Sequence, residues 1–372
     1  MDSKDTMSLC QIPFTGLQRQ YKQLRKEILD VTDQVLSSGQ LMNGRFTEEF
    51  EQWLANTNDT EYAITCHSGT HALEIIGQYW ARDATIWDRP LVLIPATTYV
   101  ATANAFIRAG WDVHFVDTNK YGILDTTKIP YGLDYQAVVL VGLYGASLID
   151  AIDIKQWSNW VNSNVIVIED AAQHWISNSF TRMGSCAAIS FDPMKNLSAY
   201  GNGGAIVTNI QDLATFAEQL RNNGKPTHDM VGTNSRMSEL DCASLLVKTR
   251  YLSQWQARRT AISKHYIQRF NNANLRCLID DTNIDNHAHH KFVVEVDDRD
   301  QLQHQLRLAG IETKVHYEQP LHELSVYRQY PGPDMLGASS SLSRRCLSLP
   351  IYPELTDSEV DVIADQVLNF FL

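Results

Sequence analysis

Short apolar runs and amphipathic stretches alternate through the first two thirds of the chain. Tyr62 to Cys66, Leu91 to Ile94, Val113 to Val116, Ala137 to Val141 and Val165 to Ile168 are compact and rich in β-branched residues. Runs of that length and type read as strands buried on both faces. Between them, His71 to Arg82 reads as a helix, and a second helix begins within Pro95 to Thr102. This alternation predicts a mainly parallel sheet with crossover helices. Three runs then follow closely: Val165 to Ile168, Ala187 to Phe191 and Ala205 to Thr208. Such short spacing favours hairpin pairing, and Pro193 ends the middle run.

Outside this block the pattern is mostly helical. Leu17, Tyr21, Leu24, Ile28, Val31 and Val35 recur at helical spacing, and Gly39 supplies a stop. Gln211 to Asn223 is helical, and a long helical pattern runs from Met237 to about Phe270. Phe292 to Val296 and Ile311 to Tyr317 read as strands, separated by a helix over Gln301 to Leu308 that Gly310 ends. Asp357 to Phe370 forms a last amphipathic helix. The expected organisation is α/β: a large domain over residues 1–250, and a smaller C-terminal α+β domain over residues 251–372.

Candidate chemistry gathers between Val165 and Asn209. The strand Val165 to Ile168 runs into Glu169 and Asp170, and Lys195 lies in the turn after the next strand. Ligands of open α/β sheets collect beyond strand ends. A lysine among apolar strands loses affinity for its proton and can form a Schiff base. An aspartate at a strand end suits a protonated ring nitrogen. Pyridoxal phosphate (PLP) asks a protein for this pair. The alternative is that Asp170 caps a helix and Lys195 is solvated.

Ser68-Gly69-Thr70 opens a helix, where free amides and the dipole favour an anion; simple capping explains it equally. Tyr99 could stack on a flat heterocycle or sit half-buried in the core. Asn234 reads as a helix cap. His287, His289 and His290 lack clear metal geometry and cysteine partners, so they read as a polar lead-in to the strand at Phe292. His316 and His322 are open to a structural role.

Composition narrows the classes. The chain has 372 residues, 44% hydrophobic and 20% charged, with net charge −12. That is ordinary globular composition. The sign of the charge and the absence of a basic stripe argue against nucleic-acid binding. Six scattered cysteines without a C-x-x-C pair suggest reduced thiols and a cytoplasmic location. No run approaches the roughly 18 apolar residues of a membrane span, and Met1 to Thr6 lacks the apolar region of a signal peptide.

Three fixed-spacing motifs sharpen this: I-E-D-A-A-Q, S-F-D-P-M-K-N-L and G-N-G-G-A-I-V-T-N. They resemble the DegT/DnrJ/EryC1/StrS family of sugar aminotransferases. Further matches are Leu143-Tyr144-Gly145, G-T-N-S-R-M at Gly232, H-Y-E-Q-P-L-H at His316 and L-P-I-Y-P-E-L-T at Leu349. The likeness runs from about Ile12 to the C-terminus. It implies the aspartate-aminotransferase fold (fold type I), PLP as cofactor, and a homodimer. It implies Lys195 as the PLP lysine and Asp170 as the ring-nitrogen partner. Gly69, Thr70 and Ser190 would take the phosphate, Tyr99 would stack, and Gln173 would face the ring oxygen. Asn234 would reach a partner subunit's phosphate, and His316, Tyr317 and His322 would lie toward substrate.

The implied reaction moves an amino group from L-glutamate to a nucleotide-linked keto-sugar. S-F-D-P-M-K-N-L-S-A-Y-G-N-G-G is closer to the pattern for 3-keto sugars than to the T-T-G-E-G-G form of 4-keto enzymes. A 3-amino product is therefore expected, with a 4-keto sugar or a cyclitol as alternatives. A family dehydratase would carry histidine for Lys195. A regulatory PLP-binding protein would carry a broken lysine or a DNA-binding appendage. This chain departs from the family at His174-Trp175-Ile176, at Asp192 and at Asn202, and is short between Met183 and Ser190.

Overall fold

The computed structural model describes residues 12–82, 89–149, 152–176, 184–271, 273, 275–279, 282–330, 332 and 337–372. Cys10, Met1 to Thr6 and Met183 fall outside these.

The chain opens with α1 (Leu17–Ser38) and α2 (Arg45–Thr57). Then come β1 (Tyr62–Cys66), α3 (Gly69–Ala81), β2 (Leu91–Pro95), α4 (Val100–Arg108) and β3 (Asp112–Val116). β4 (Ala137–Val141), α5 (Ile154–Asn162) and β5 (Ile166–Asp170) continue the alternation, followed by β6 (Cys186–Ser190), β7 (Gly204–Thr208) and α6 (Gln211–Arg221). The remainder holds α7 (Glu239–Thr249), α8 (Leu252–Asn271), β8 (Arg276–Cys277), β9 (Phe292–Glu295), α9 (Arg299–Leu308), α10 (Gly337–Arg345), β10 (Cys346–Leu349) and α11 (Asp357–Leu368).

Seven strands form one sheet in the order β1-β7-β6-β5-β4-β2-β3. β6 to β3 pair in parallel, while β7 runs antiparallel to both β6 and β1. The expected hairpin is therefore present, and β7 lets β1 join the far edge. Alternate residues supply cores on opposite faces. In β6, Ala188 faces the core shared with α3 and α4, while Ala187 and Ile189 face the core shared with α2 and α7. This two-sided burial is why the strands read as unbroken apolar runs.

A second core surrounds the three-stranded sheet β10-β9-β8, with α8, α9 and α11 packed against it. Ile12 also belongs to this core, through a parallel bridge to Ile311.

Three expectations need correction. The segment Ile311 to Tyr317 is not a strand: Ile311 pairs with Ile12 and Lys314 with Ser348, so no single neighbour supports a ladder. The long helix breaks at Arg250 and Tyr251 into α7 and α8, because the first half packs under the large sheet and the second under the small core. His287, His289 and His290 are buried and bonded to the protein, rather than forming a polar lead-in.

Candidate active site

α3 starts hard against the ends of β6 and β7. A Cβ on Gly69 would stand 2.7 Å from the Ser190 Cβ, and one on Gly204 would stand 2.3 Å from the Ser68 carbonyl carbon. Only glycine permits this approach. Ser68 caps the helix: its Oγ accepts from the His71 N–H at 3.2 Å, and its carbonyl accepts from the Ala72 N–H at 3.0 Å. The amides of Gly69 and Thr70 stand before those bonds, at the positive end of the helix dipole. Ser190 lies beside them at the end of β6. The arrangement is a ready receptor for a phosphate.

Asp170 ends β5 and is buried. Its Oδ2 accepts from Thr102 Oγ1 at 2.7 Å, and its Oδ1 from the Ala172 N–H at 3.2 Å. Thr102 lies in the first turn of α4, so the crossover helix fixes the carboxylate. Sequence reasoning missed Thr102, because nothing local marks a threonine that bonds across 68 positions.

Lys195 follows β6 in a turn closed by its own N–H to the Asp192 carbonyl. Burial lowers its ammonium from the ordinary lysine value, against opposing attraction from Asp170 and Asp192. That environment favours a nucleophilic amine. Gln173 is held from behind. Its Oε1 accepts from the Tyr144 N–H at 2.8 Å, and Tyr144 adopts a left-handed φ of 62° inside the Leu143-Tyr144-Gly145 turn. Such backbone strain in a non-glycine residue is a mark of functional sites.

These groups open into one cleft of about 410 Å³. Gly69, Thr70, Tyr99, Asp170, Gln173, Ser190, Lys195, His316 and Tyr317 all line it. Tyr99, 55% exposed, stands at the mouth, its ring 5.8 Å from that of Tyr317. His316 is pushed down to about 3, first by burial and then by Lys291, Lys314 and Lys195, so it is neutral near pH 7. Two expected residues are not part of the lining. Asn234 is exposed and accepts from the Arg236 side chain at 3.1 Å. His322 neighbours Glu323 on the short turn past Pro320. Among the lining residues that the sequence reading did not assign to the site are His290 and Lys291, which arrive from the segment before β9. Among the described residues, no group of three or more His, Cys, Asp or Glu side chains is placed to hold a metal, and no helix is long and apolar enough to cross a membrane.

Residues 22–368 match the profile of the DegT/DnrJ/EryC1/StrS aminotransferase family. The chain belongs to this family. A dTDP-3-amino-3,6-dideoxy-alpha-D-galactopyranose transaminase of Aneurinibacillus thermoaerophilus is 33% identical over 96% of this chain and 99% of that protein. A pleiotropic regulatory protein of Geobacillus stearothermophilus is 30% identical over 97% and 98%. The crystal structure of S. venezuelae DesV in complex with a ketimine intermediate superposes with a TM-score of 0.87 at 29% identity, over 96% of this chain and 98% of that one.

DegT/DnrJ/EryC1/StrS aminotransferases use PLP, and the fold is that of fold type I. The cleft fits that group on its own terms. It offers a glycine-permitted anion cradle at one end, a fixed carboxylate at a strand end, and a half-buried lysine of lowered proton affinity.

Proposed function

We propose that this aminotransferase transfers an amino group from L-glutamate to a 3-keto-6-deoxy sugar carried on a nucleotide, giving a 3-amino sugar. The observation that carries the reading is the opening of Lys195 and Asp170 into one cleft beside the Gly69–Thr70 cradle. Bound PLP supplies an electrophilic carbon and an electron sink. The chain's residues do the rest. The amides of Gly69 and Thr70, with Ser190 Oγ, anchor the phosphate. Asp170 keeps a proton on the ring nitrogen. Tyr99 covers one face and excludes water. Lys195 Nζ would hold the cofactor at rest; as a free amine it would take the proton from the donor's α-carbon and later deliver one to the sugar carbon.

The choice of carbon rests on the Ser190 to Gly204 pattern and on relatives named as 3-amino-sugar transaminases. Sliding the sugar by one carbon would displace the nucleotide, because the reacting carbon must lie about 3–3.5 Å from the amine. The reading extends to assembly. Asn234, exposed and outside its own cleft, serves the neighbouring cleft of a two-fold dimer. Sedimentation paired with activity tests that arm, and a fully active monomer rejects it. Thiols at Cys66, Cys242 and Cys346 suit a cytoplasmic setting.

The deciding experiment incubates the holoenzyme with L-glutamate and a panel of nucleotide keto-sugars. Mass spectrometry detects amination, and NMR places the amine. An amine at carbon 4 overturns the choice of sugar. No amination of any acceptor, with no spectral response to amino acids, overturns the enzymatic reading in favour of a non-catalytic binding protein.

A further inference from the structure

Lys291 is a second lysine in the cleft, and the chemistry above leaves it without a task. It lies just before β9, and its N–H donates to the Tyr144 carbonyl at 3.0 Å. Its side chain is 6% exposed, yet it lines the cleft together with Lys195, His290 and His316. Among the described residues, no hydrogen bond or ion pair reaches its Nζ. The contact recorded for the ammonium is the face of Phe14, 4.9 Å from the ring centroid. A buried ammonium without an anionic partner is costly to maintain.

Two features show where a partner would come from. Lys291 also lines a second, smaller cavity of about 30 Å³, together with Lys195, Phe14, Arg259 and Glu354. That is room for water alone. The space with room for a substrate is the cleft of about 410 Å³. The charges facing Lys291 are mostly positive, namely Lys195, Arg259 and Lys314, with Asp192 opposing them. Burial first, then these cations, hold the Lys291 ammonium well below the usual lysine range. An arriving anion would reverse that disfavour, and its binding would be charge-assisted.

We propose that Lys291 is the carboxylate-binding residue of the substrate site, receiving the α-carboxylate of the amino donor. This rests on the transaminase reading and goes beyond it. The argument is one of reach. The donor's α-carbon must come within about 3–3.5 Å of the reacting centre held at Lys195. Its α-carboxylate is one bond further out. An amine without an anionic partner, lining the same cleft as Lys195 and within reach of its charge, can gain a proton and receive that group. The cofactor phosphate has its own receptor at Gly69, Thr70 and Ser190. The neutral imidazole of His316 beside it adds hydrogen-bonding capacity without competing charge.

The test compares wild-type holoenzyme with Lys291→Met and Lys291→Arg. Each is titrated with L-glutamate and with 4-aminobutyrate, an amine without an α-carboxylate, while the visible spectrum reports conversion of the cofactor. The same spectrum before titration reports whether each variant is folded and loaded. Lys291→Met should raise the glutamate concentration for half-conversion by at least about 10-fold. It should also erase most of the preference for glutamate over 4-aminobutyrate, while Lys291→Arg retains both. The second half-reaction, with the nucleotide keto-sugar, should change by less than about 3-fold, since the reacting sugar presents no carboxylate. An unchanged glutamate preference in a loaded Lys291→Met overturns the proposal. So does a selective loss of the sugar half-reaction, which would assign Lys291 to the acceptor. An equal fall in both half-reactions at unchanged half-conversion would make Lys291 a tuner of Lys195 and overturn it too. A wild-type protein that responds to no amino donor fails at the earlier step, and the transaminase reading falls with it.

Discussion

At the Gly69 end of the cleft the receptor is made of backbone. Two amides, a helix dipole and one hydroxyl meet because Gly69 and Gly204 let α3 touch β6 and β7. At the Lys195 end it is made of side chains. Lys195, His290, Lys291 and His316 come from segments spread over more than a hundred positions, and three of the four sit on segments that flank the second core. The first end has no titratable group to tune and a shape that one methyl group would spoil. The second end tolerates shape better, but every member is a buried or half-buried titratable group whose charge depends on its neighbours. Variants at the first should therefore change cofactor affinity, and variants at the second should change rate or substrate preference.

The strongest challenge to that division is Lys195→Ala. Turnover should fall by about 10³–10⁴-fold, while a dialysis assay still finds cofactor bound through the backbone end. Borohydride should fix the cofactor on Lys195 in the wild type; recovery on Lys291 instead would exchange the roles of the two lysines. Asp170→Asn comes next, with an expected loss of about 100-fold or more in kcat. Near-normal turnover would leave Asp170 as a structural residue only.

At the backbone end, Gly204→Ala places a methyl group against the Ser68 carbonyl. Cofactor affinity should drop about 10- to 100-fold, the equivalent of about 1–3 kcal/mol of overpacking. With cofactor saturating, kcat should stay within about 3-fold. A kcat collapse at full occupancy would erase the distinction between the two ends. Thr102→Val removes one donor to Asp170 and should cost about 10-fold in kcat, since a hydrogen bond to a charged group contributes about 1.5–3 kcal/mol.

The smallest effect lies outside the cleft. Arg19 and Glu359 tie α1 to α11 through two bonds, of 2.7 and 2.6 Å. Glu359 is held down to about 2 by Arg19, from an ordinary value of 4.5. Its folded-state value is depressed, so its contribution is complete above about pH 4.5 and lost as pH falls toward 2. The urea midpoint of Glu359→Gln should therefore trail wild type at pH 7 and converge with it across that window. Solvent screening keeps this effect small.

The same division governs how much could be read from sequence. The motif around Ser68-Gly69-Thr70 and the pair Asp170 and Lys195 are local: a strand end, a glycine and a charged residue within a few positions. The seven strands of the large sheet were legible for a related reason, since burial on two faces leaves an unbroken apolar run. Lys291 carried a comparable signal, a lysine abutting the apolar run Phe292 to Val296, but three preceding histidines suggested a wet surface. Thr102 gave no signal, since its value depends on where α4 crosses β5. β8 was missed because two residues have too little periodicity to register, and β10 because Ser348 interrupts its short apolar run just before Pro350. The apparent strand at Ile311 failed because its paired positions, Ile311 and Lys314, answer to two different neighbours.

The bridge between Ile12 and Ile311 has a consequence for how the molecule is born. Phe14 also donates to Glu312, 298 positions later. A ribosome working at about 5–20 residues per second needs roughly 15–60 s to deliver that partner. By contrast, the large sheet has all seven strands once Thr208 has been made. A nascent chain can thus present the phosphate cradle, Asp170 and Lys195 while the wall bearing Lys291 does not yet exist. Cofactor could be captured during translation, whereas the wall bearing Lys291 is completed only in the last quarter of synthesis.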